Sequence, residues 1–284
     1  MGQAVYGLIG WPVGHSASPA MMNAAFQEMG EPAVYGLFPV QPSRIEAAMA
    51  GLAALSIRGV NVTIPHKQAV LPWLSDVSDE ARFAGAVNTI SVDADSGRMS
   101  GHNTDVSGWW KSVSDAQKTP WEAAIVLGAG GAARAIAAAL ALYSPATRLR
   151  IAARNVQKAE EIASGFRDKI AIEAVPWEKR CAAIEQAELV VQATPVGMWP
   201  RDGESPVEDA GCFHSGQVVQ DIVYRPLETA FLKLAASQGA KTLDGLNMLV
   251  HQGAAAIQFW MKRQAPVEVM RTQALAAVGG TPAH

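Results

Sequence analysis

Lys67 closes the run Asn61-Val-Thr-Ile-Pro-His-Lys67, and Asn103-Thr-Asp105 follows later, with Ala84-Gly-Ala-Val-Asn88-Thr89 between them. A lysine and an aspartate can pass a proton to and from a substrate oxygen. Thr63 and Asn88 offer hydrogen bonds beside that pair. A second run, Val126-Leu-Gly128-Ala129-Gly130-Gly131-Ala132-Ala-Arg134, has the form of a dinucleotide loop. Together they point to hydride transfer at a carbon that bears oxygen.

The loop satisfies the relaxed Gly-x-Gly-x-x-Gly/Ala form at Gly128, Gly130 and Ala133. Glycine at 128 permits a tight turn, glycine at 130 lets the backbone approach a pyrophosphate, and alanine at 133 keeps helix and strand close. The free N–H groups of the following helix would face the phosphates. The plainer alternative is a strand–helix turn that binds nothing. A site selective for NAD places Asp or Glu roughly 20 residues on, at the end of the second strand. This chain has Arg154 there, then Asn155 and Lys158. Arginine grips a 2′-phosphate with a planar fork, so these residues favour NADP.

The elements that must position these groups follow from periodicity. Residues 5–10, 35–40 and 59–63 read as strands, separated by helices over 20–29 and 44–55. Ser18 reads as an N-cap with Pro19 at the first helical position. Pro65 suits the first turn of a helix after the third strand, which would project Lys67 where a helix dipole and burial both disfavour an ammonium and a nearby carboxylate favours it. Asp105 stands where a helix over 106–113 begins; an N-cap is its plainer role, and the two roles can coexist. After turn residues Thr119-Pro120, strands over 123–127, 148–153, 189–193, 218–223 and 240–243 form a second βαβ series. A last, alanine-rich helix over 245–261 could pack against the first domain and make it discontinuous.

At 284 residues the chain exceeds the usual single-domain size, and 49% apolar residues suffice for two cores. The expected organisation is α/β in two domains with a cleft between them. Residues 1–105, completed by 245–284, form a substrate-binding and catalytic domain with a mostly parallel sheet. Residues 106–244 form a Rossmann-like dinucleotide-binding domain. No uninterrupted run of about 18 apolar residues suggests a membrane span, and no signal peptide is readable. The net charge of −3 is dispersed, without a basic stripe for nucleic acid. Cys181 and Cys212 read as reduced thiols of a cytoplasmic protein. The histidines lack zinc-helix spacing, so no metal is expected.

With these runs in view, the chain resembles the shikimate dehydrogenase family over nearly its whole length. The likeness includes Gly10-x-Pro12-x-x-His15-Ser16-x-Ser18-Pro19, Asn61-Val-Thr-Ile-Pro-His-Lys67, Gly85-Ala-Val-Asn-Thr89 and Gly101-x-Asn-Thr-Asp105. It continues through Gly128-Ala-Gly-Gly-Ala132, Ala193-Thr-Pro-Val-Gly-Met198, Asp221-x-Val-Tyr224-x-Pro226-Leu-Glu-Thr229 and Asp244-Gly-Leu-x-Met248-Leu-Val-x-Gln252-Gly253.

The resemblance implies an NADP-dependent enzyme of aromatic amino acid biosynthesis that interconverts 3-dehydroshikimate and shikimate. It implies Lys67 as acid/base and Asp105 as its partner and a substrate hydroxyl ligand. Ser16 and Ser18 resemble the pair that holds the substrate carboxylate, with Tyr224 nearby, and Thr63, Asn88 and Gln252 resemble the holders of ring hydroxyls. Ile222, Gly245 and Met248 fall where the family lines the nicotinamide. The partners implied are a small-molecule substrate and the cofactor, with the chain a monomer or homodimer. The chain departs from the family at Ala153-Arg154-Asn155, where Asn-Arg-Thr is frequent, at Gln192 for asparagine, at Asn247 for glycine and at His251. Other readings are an enzyme for quinate or a related ring acid, a silent nucleotide-binding regulator, and a folate-linked dehydrogenase. The last has no reason to keep Ser16-x-Ser18 with Asn103-Thr-Asp105.

Overall fold

Val- and Ile-rich runs that are buried on both faces belong in the middle of a parallel sheet, and the first strand has that character: the last five residues of β1 (Ala4–Gly10) are all buried. The computed structural model describes residues 2–114, 116 and 120–279, so Thr119 of the expected turn lies outside the described residues. After β1 come α1 (Ser18–Glu28), β2 (Ala33–Pro39), α2 (Ile45–Ala54), β3 (Ile57–Val62), β4 (Asp76–Val77), α3 (Asp79–Ala84), β5 (Thr89–Val92), β6 (Met99–His102) and α4 (Thr104–Ser114). Their six strands lie in the order β2-β1-β3-β5-β6-β4. β1 pairs parallel with both β2 and β3, and β4 pairs parallel with β6, whereas β5 is antiparallel to both of its neighbours. The mixed half arises because β5 and β6 are joined by a short turn rather than a helix.

The second series comprises β7 (Ala123–Leu127), α5 (Gly131–Tyr143), β8 (Arg148–Ala153), α6 (Val156–Gly165), β9 (Ile172–Pro176), α7 (Arg180–Ile184), β10 (Leu189–Gln192), β11 (Val218–Asp221), α8 (Ala230–Ser237) and β12 (Lys241–Leu243), followed by α9 (Leu246–Met261) and α10 (Val267–Ala277). Its sheet has the order β12-β11-β10-β7-β8-β9, parallel throughout. Read from β9, that is the doubly wound 3-2-1-4-5-6 order, with its switch point between β7 and β10. The strand at 172–176 is an addition to the sequence reading.

The chain divides into two compact units. One holds Met1–Gly108 with Leu249–His284, the other Trp109–Met248, so the divisions fall inside α4 and α9. The C-terminal segment joins the first unit through Trp260, whose Nε1 donates to Ile90 O at 2.9 Å and whose ring packs on Tyr6. No helix among the described residues is long and apolar enough to cross a membrane. Cys181 and Cys212 are both free thiols.

Two local expectations give way. Residues 63–70 form a series of turns, not a helix. Lys67 O accepts from Val87 N at 2.8 Å, which takes it out of any helical ladder, and His66 Nε2 donates to Val40 O at 2.7 Å. The expected dipole of a helix beginning at Pro65 is therefore absent. Ser18 is the first residue of α1 rather than its cap, because Ala17 is already in the α region and the Ser18 N–H is bound by Ser16 Oγ at 3.2 Å.

Candidate active site

In the first unit the turn after β3 and the first turn of α4 bring Lys67 and Asp105 together. Lys67 Nζ stands 2.5 Å from Asp105 Oδ2, and the two side chains are only 17% and 9% exposed. Asp105 is not the helix cap. Asn103 Oδ1 accepts from the Asp105 N–H at 3.2 Å and Asn103 Nδ2 donates to Ala86 O at 2.9 Å, so the capping role passes to Asn103 and the Asp105 carboxylate is left for the lysine.

Asn88 is buried beside them. Its Oδ1 accepts from the Thr104 N–H at 2.7 Å, and its Nδ2 donates to Thr104 Oγ1 at 3.0 Å. That ties the residue before Asp105 to the start of β5. Thr63 lies half-buried where β3 ends, with its N–H on Ile9 O at 2.8 Å. Ser16 Oγ donates to Ser18 Oγ at 3.1 Å, so the serine pair forms one hydroxyl cluster at the head of α1. Gln252, on α9, directs Nε2 to Leu249 O at 2.8 Å.

Tyr35 and Asn61, absent from the sequence reading as site residues, link these groups. Ser18 lies beside the Tyr35 hydroxyl. Tyr35 Oη donates to Asn61 Oδ1 at 2.8 Å, Asn61 Nδ2 donates to Thr89 Oγ1 at 3.0 Å, and Thr89 Oγ1 donates to Asn88 Oδ1 at 3.0 Å. A continuous chain of hydrogen bonds therefore runs from Tyr35, beside Ser18, to the residues that position Asp105. Asn61 stands in the same run as Lys67, which was the available signal; Tyr35 stands alone in a strand and had none.

In the second unit Gly128 follows β7 at φ +114°, a conformation that favours glycine. A Cβ there would meet Ala193 O at 3.0 Å, across the switch point. Gly130 precedes α5, no side chain among the described residues caps that helix, and no described atom lies within 4 Å of where a side chain at 130 would begin. Open space in front of bare N–H groups at Gly131, Ala132 and Ala133 fits a pyrophosphate. Ala129 lies in the same loop. Arg154 follows β8 and is exposed, as is Lys158, while Asn155 caps α6 by accepting from the Lys158 N–H at 3.3 Å.

Gln192, one of the departures, is fully buried and holds the loop after β10. Its Nε2 donates to Thr194 O and Val196 O at 3.0 and 2.9 Å. Ile222 and Gly245 meet, since a Cβ on Gly245 would lie 2.4 Å from Ile222 O; Met248 is buried at the start of α9. Tyr224 lies on the turn after β11, which Asp221 anchors through the Val223 N–H at 2.9 Å and the Thr229 hydroxyl at 2.8 Å. Burial raises the Asp221 pKa to about 7.

Comparison with known proteins gives matches along the chain. Residues 8–90 match the family model for the shikimate dehydrogenase substrate binding domain, 113–200 that for shikimate / quinate 5-dehydrogenase, and 245–275 that for the shikimate 5′-dehydrogenase C-terminal domain. A shikimate dehydrogenase (NADP(+)) of Symbiobacterium thermophilum is 49% identical, covering 98% of this chain and 96% of that protein. Shikimate 5-dehydrogenase of Thermus thermophilus, solved with NADP(H) and shikimate, superposes with a TM-score of 0.86 at 35% identity, over 97% of this chain and 100% of that one. Quinate dehydrogenase of Corynebacterium glutamicum, solved with NAD, superposes at 0.89 with 32% identity, over 97% and 100%. The fold, the order of the motifs and these likenesses converge: the chain belongs to the shikimate dehydrogenase family.

Proposed function

We propose that this chain is an NADP-dependent oxidoreductase that interconverts 3-dehydroshikimate and shikimate. The observation that carries the reading is the Lys67 Nζ–Asp105 Oδ2 contact of 2.5 Å, set among buried neutral donors and acceptors in a chain of this family. The bound cofactor supplies or accepts the hydride. Lys67, as the ammonium, donates a proton to the exocyclic carbonyl oxygen when the carbonyl is reduced, and as the amine takes one back in the reverse direction. Asp105 holds the lysine in place and accepts from a ring hydroxyl. Thr63, Asn88 and Gln252 hold hydroxyls, and Ser16 and Ser18, with Tyr224, hold the carboxylate. A polyol acid suits such a lining, because each buried donor or acceptor left unpaired by a wrong ring costs about 1–3 kcal/mol.

Residues 1–105 with 245–284 are assigned to substrate binding, and 106–244 to the dinucleotide. For the cofactor, Gly128, Ala129, Gly130, Gly131 and Ala132 are assigned to the pyrophosphate and Arg154, Asn155 and Lys158 to the 2′-phosphate. Ile222, Gly245 and Met248 are assigned to the nicotinamide side. The two free cysteines support a reducing, cytoplasmic location, and we assign the active form as a monomer or homodimer. Initial rates with shikimate and quinate, each with NADP and NAD, test the reading: shikimate with NADP should give the highest kcat/KM. Faster turnover of quinate would move the chain to the neighbouring specificity.

A further inference from the structure

Gly108 stands in the interior of α4, in Thr104-Asp-Val-Ser-Gly108-Trp, where glycine weakens a helix relative to alanine. Neither a turn nor a left-handed φ calls for it, since α4 runs unbroken past it and Gly108 is not among the residues with positive φ. What calls for it is the backbone of another helix. A Cβ on Gly108 would lie 2.6 Å from Gln252 N, 2.8 Å from Gln252 Cα and 2.8 Å from Gln252 Cβ. The nearest two of these atoms are main chain, so no change of rotamer relieves the clash. Gly108 follows Asp105 by three positions and therefore shares its face of α4. We infer that Gly108 is a positioning residue: its missing side chain sets how closely Gln252 of α9 approaches the helix face that carries Asp105.

The inference rests on the roles assigned above to Asp105 and Gln252. A methyl group at 108 pushes the α9 backbone away, and a displacement of roughly 1 Å at a positioning group can cost about a hundredfold in rate. Alanine would otherwise strengthen the helix, so a loss of activity without a loss of stability marks the close approach as serving the site.

The test is a cycle of Gly108→Ala, Gln252→Ala and the double variant in the full chain. It reads kcat and KM for shikimate, NADP affinity and the melting temperature. Gly108→Ala is expected to lower kcat/KM for shikimate about 10- to 100-fold, mainly through KM, with NADP affinity unchanged. In the Gln252→Ala background the same substitution should cost far less, because the displaced amide is already gone. Wild-type kcat/KM in Gly108→Ala, or the same loss in both backgrounds, overturns the inference. So does a Gly108→Ala chain that no longer folds or binds NADP, since the approach then serves folding alone. An unchanged KM in Gln252→Ala instead removes Gln252 from the proposed site, a separate failure.

Discussion

The Tyr35 hydroxyl donates to Asn61 Oδ1 at 2.8 Å, with Ser18 beside it. Burial pushes the phenol's pKa up from its ordinary value, so it stays protonated and remains a donor at any working pH. One buried hydroxyl near the head of α1 thereby holds the asparagine that faces Thr89 and Asn88. Tyr35→Phe would leave Asn61 Oδ1 without its donor. The expected loss is about 1–3 kcal/mol of stability, with a raised KM for the ring acid because Asn61 no longer steadies Thr89 and Asn88. Urea unfolding beside steady-state kinetics measures both; a variant unchanged in each would mean that the linkage is idle.

Lys67→Ala should lower kcat by about 10²–10⁴-fold, the usual share of general acid–base help. The residues assigned to NADP do not include Lys67, so NADP affinity should hold. Asp105 would lose its partner while remaining buried, so the melting temperature should be recorded alongside turnover. Near-wild-type kcat would take the lysine out of the chemistry.

Arg154→Ala should weaken use of NADP about 10- to 100-fold while hardly changing NAD, as expected for loss of one charged hydrogen bond of about 1.5–3 kcal/mol to a 2′-phosphate. Arg154 is exposed at the end of β8, so little stability should be lost. The comparison is kcat/KM for each cofactor on each protein. An equal loss with both cofactors would make Arg154 structural.

Asp221 gives a pH dependence of definite sign. Burial lifts its pKa from 3.8 to about 7 in the folded protein. The folded state thus binds a proton that the unfolded chain has released, and the stability contributed by this group is complete below pH ~4 and lost as pH rises through about 7. At 1.36 kcal/mol per pKa unit the swing is at most ~4 kcal/mol. Asp221→Asn removes the titration, so its stability relative to wild type should climb between pH 4 and 7. Any fixed cost to the Thr229 and Val223 hydrogen bonds shifts that difference without tilting it. Unfolding of both proteins across this range decides the matter: a difference independent of pH would show that Asp221 does not titrate there.

The dinucleotide loop and the flanking β7 and β8 were legible from the sequence because their causes are local. Gly128 sits at a φ that favours glycine, a short apolar run precedes it, and a run of alanines follows. The residue types of the candidate site were legible too, since Lys67, Asp105, Asn88 and the serines stand in distinctive runs.

Their partners were not, because those come from segments that meet only on folding. Lys67 looked like a residue of a helix until its carbonyl met Val87, and Asp105 looked like a cap until Asn103 supplied the cap instead. Met99-Ser-Gly-His102 has too little apolar alternation to read as a strand, yet it completes the sheet beside β5. Gly108 stands inside α4, where alanine would strengthen the helix, and the backbone of Gln252 gives the glycine its purpose. Sterics and periodicity act over a few residues and are written in the chain. Hydrogen-bond partners and close approaches depend on which distant surfaces the packing brings into contact, and tertiary structure alone decides that.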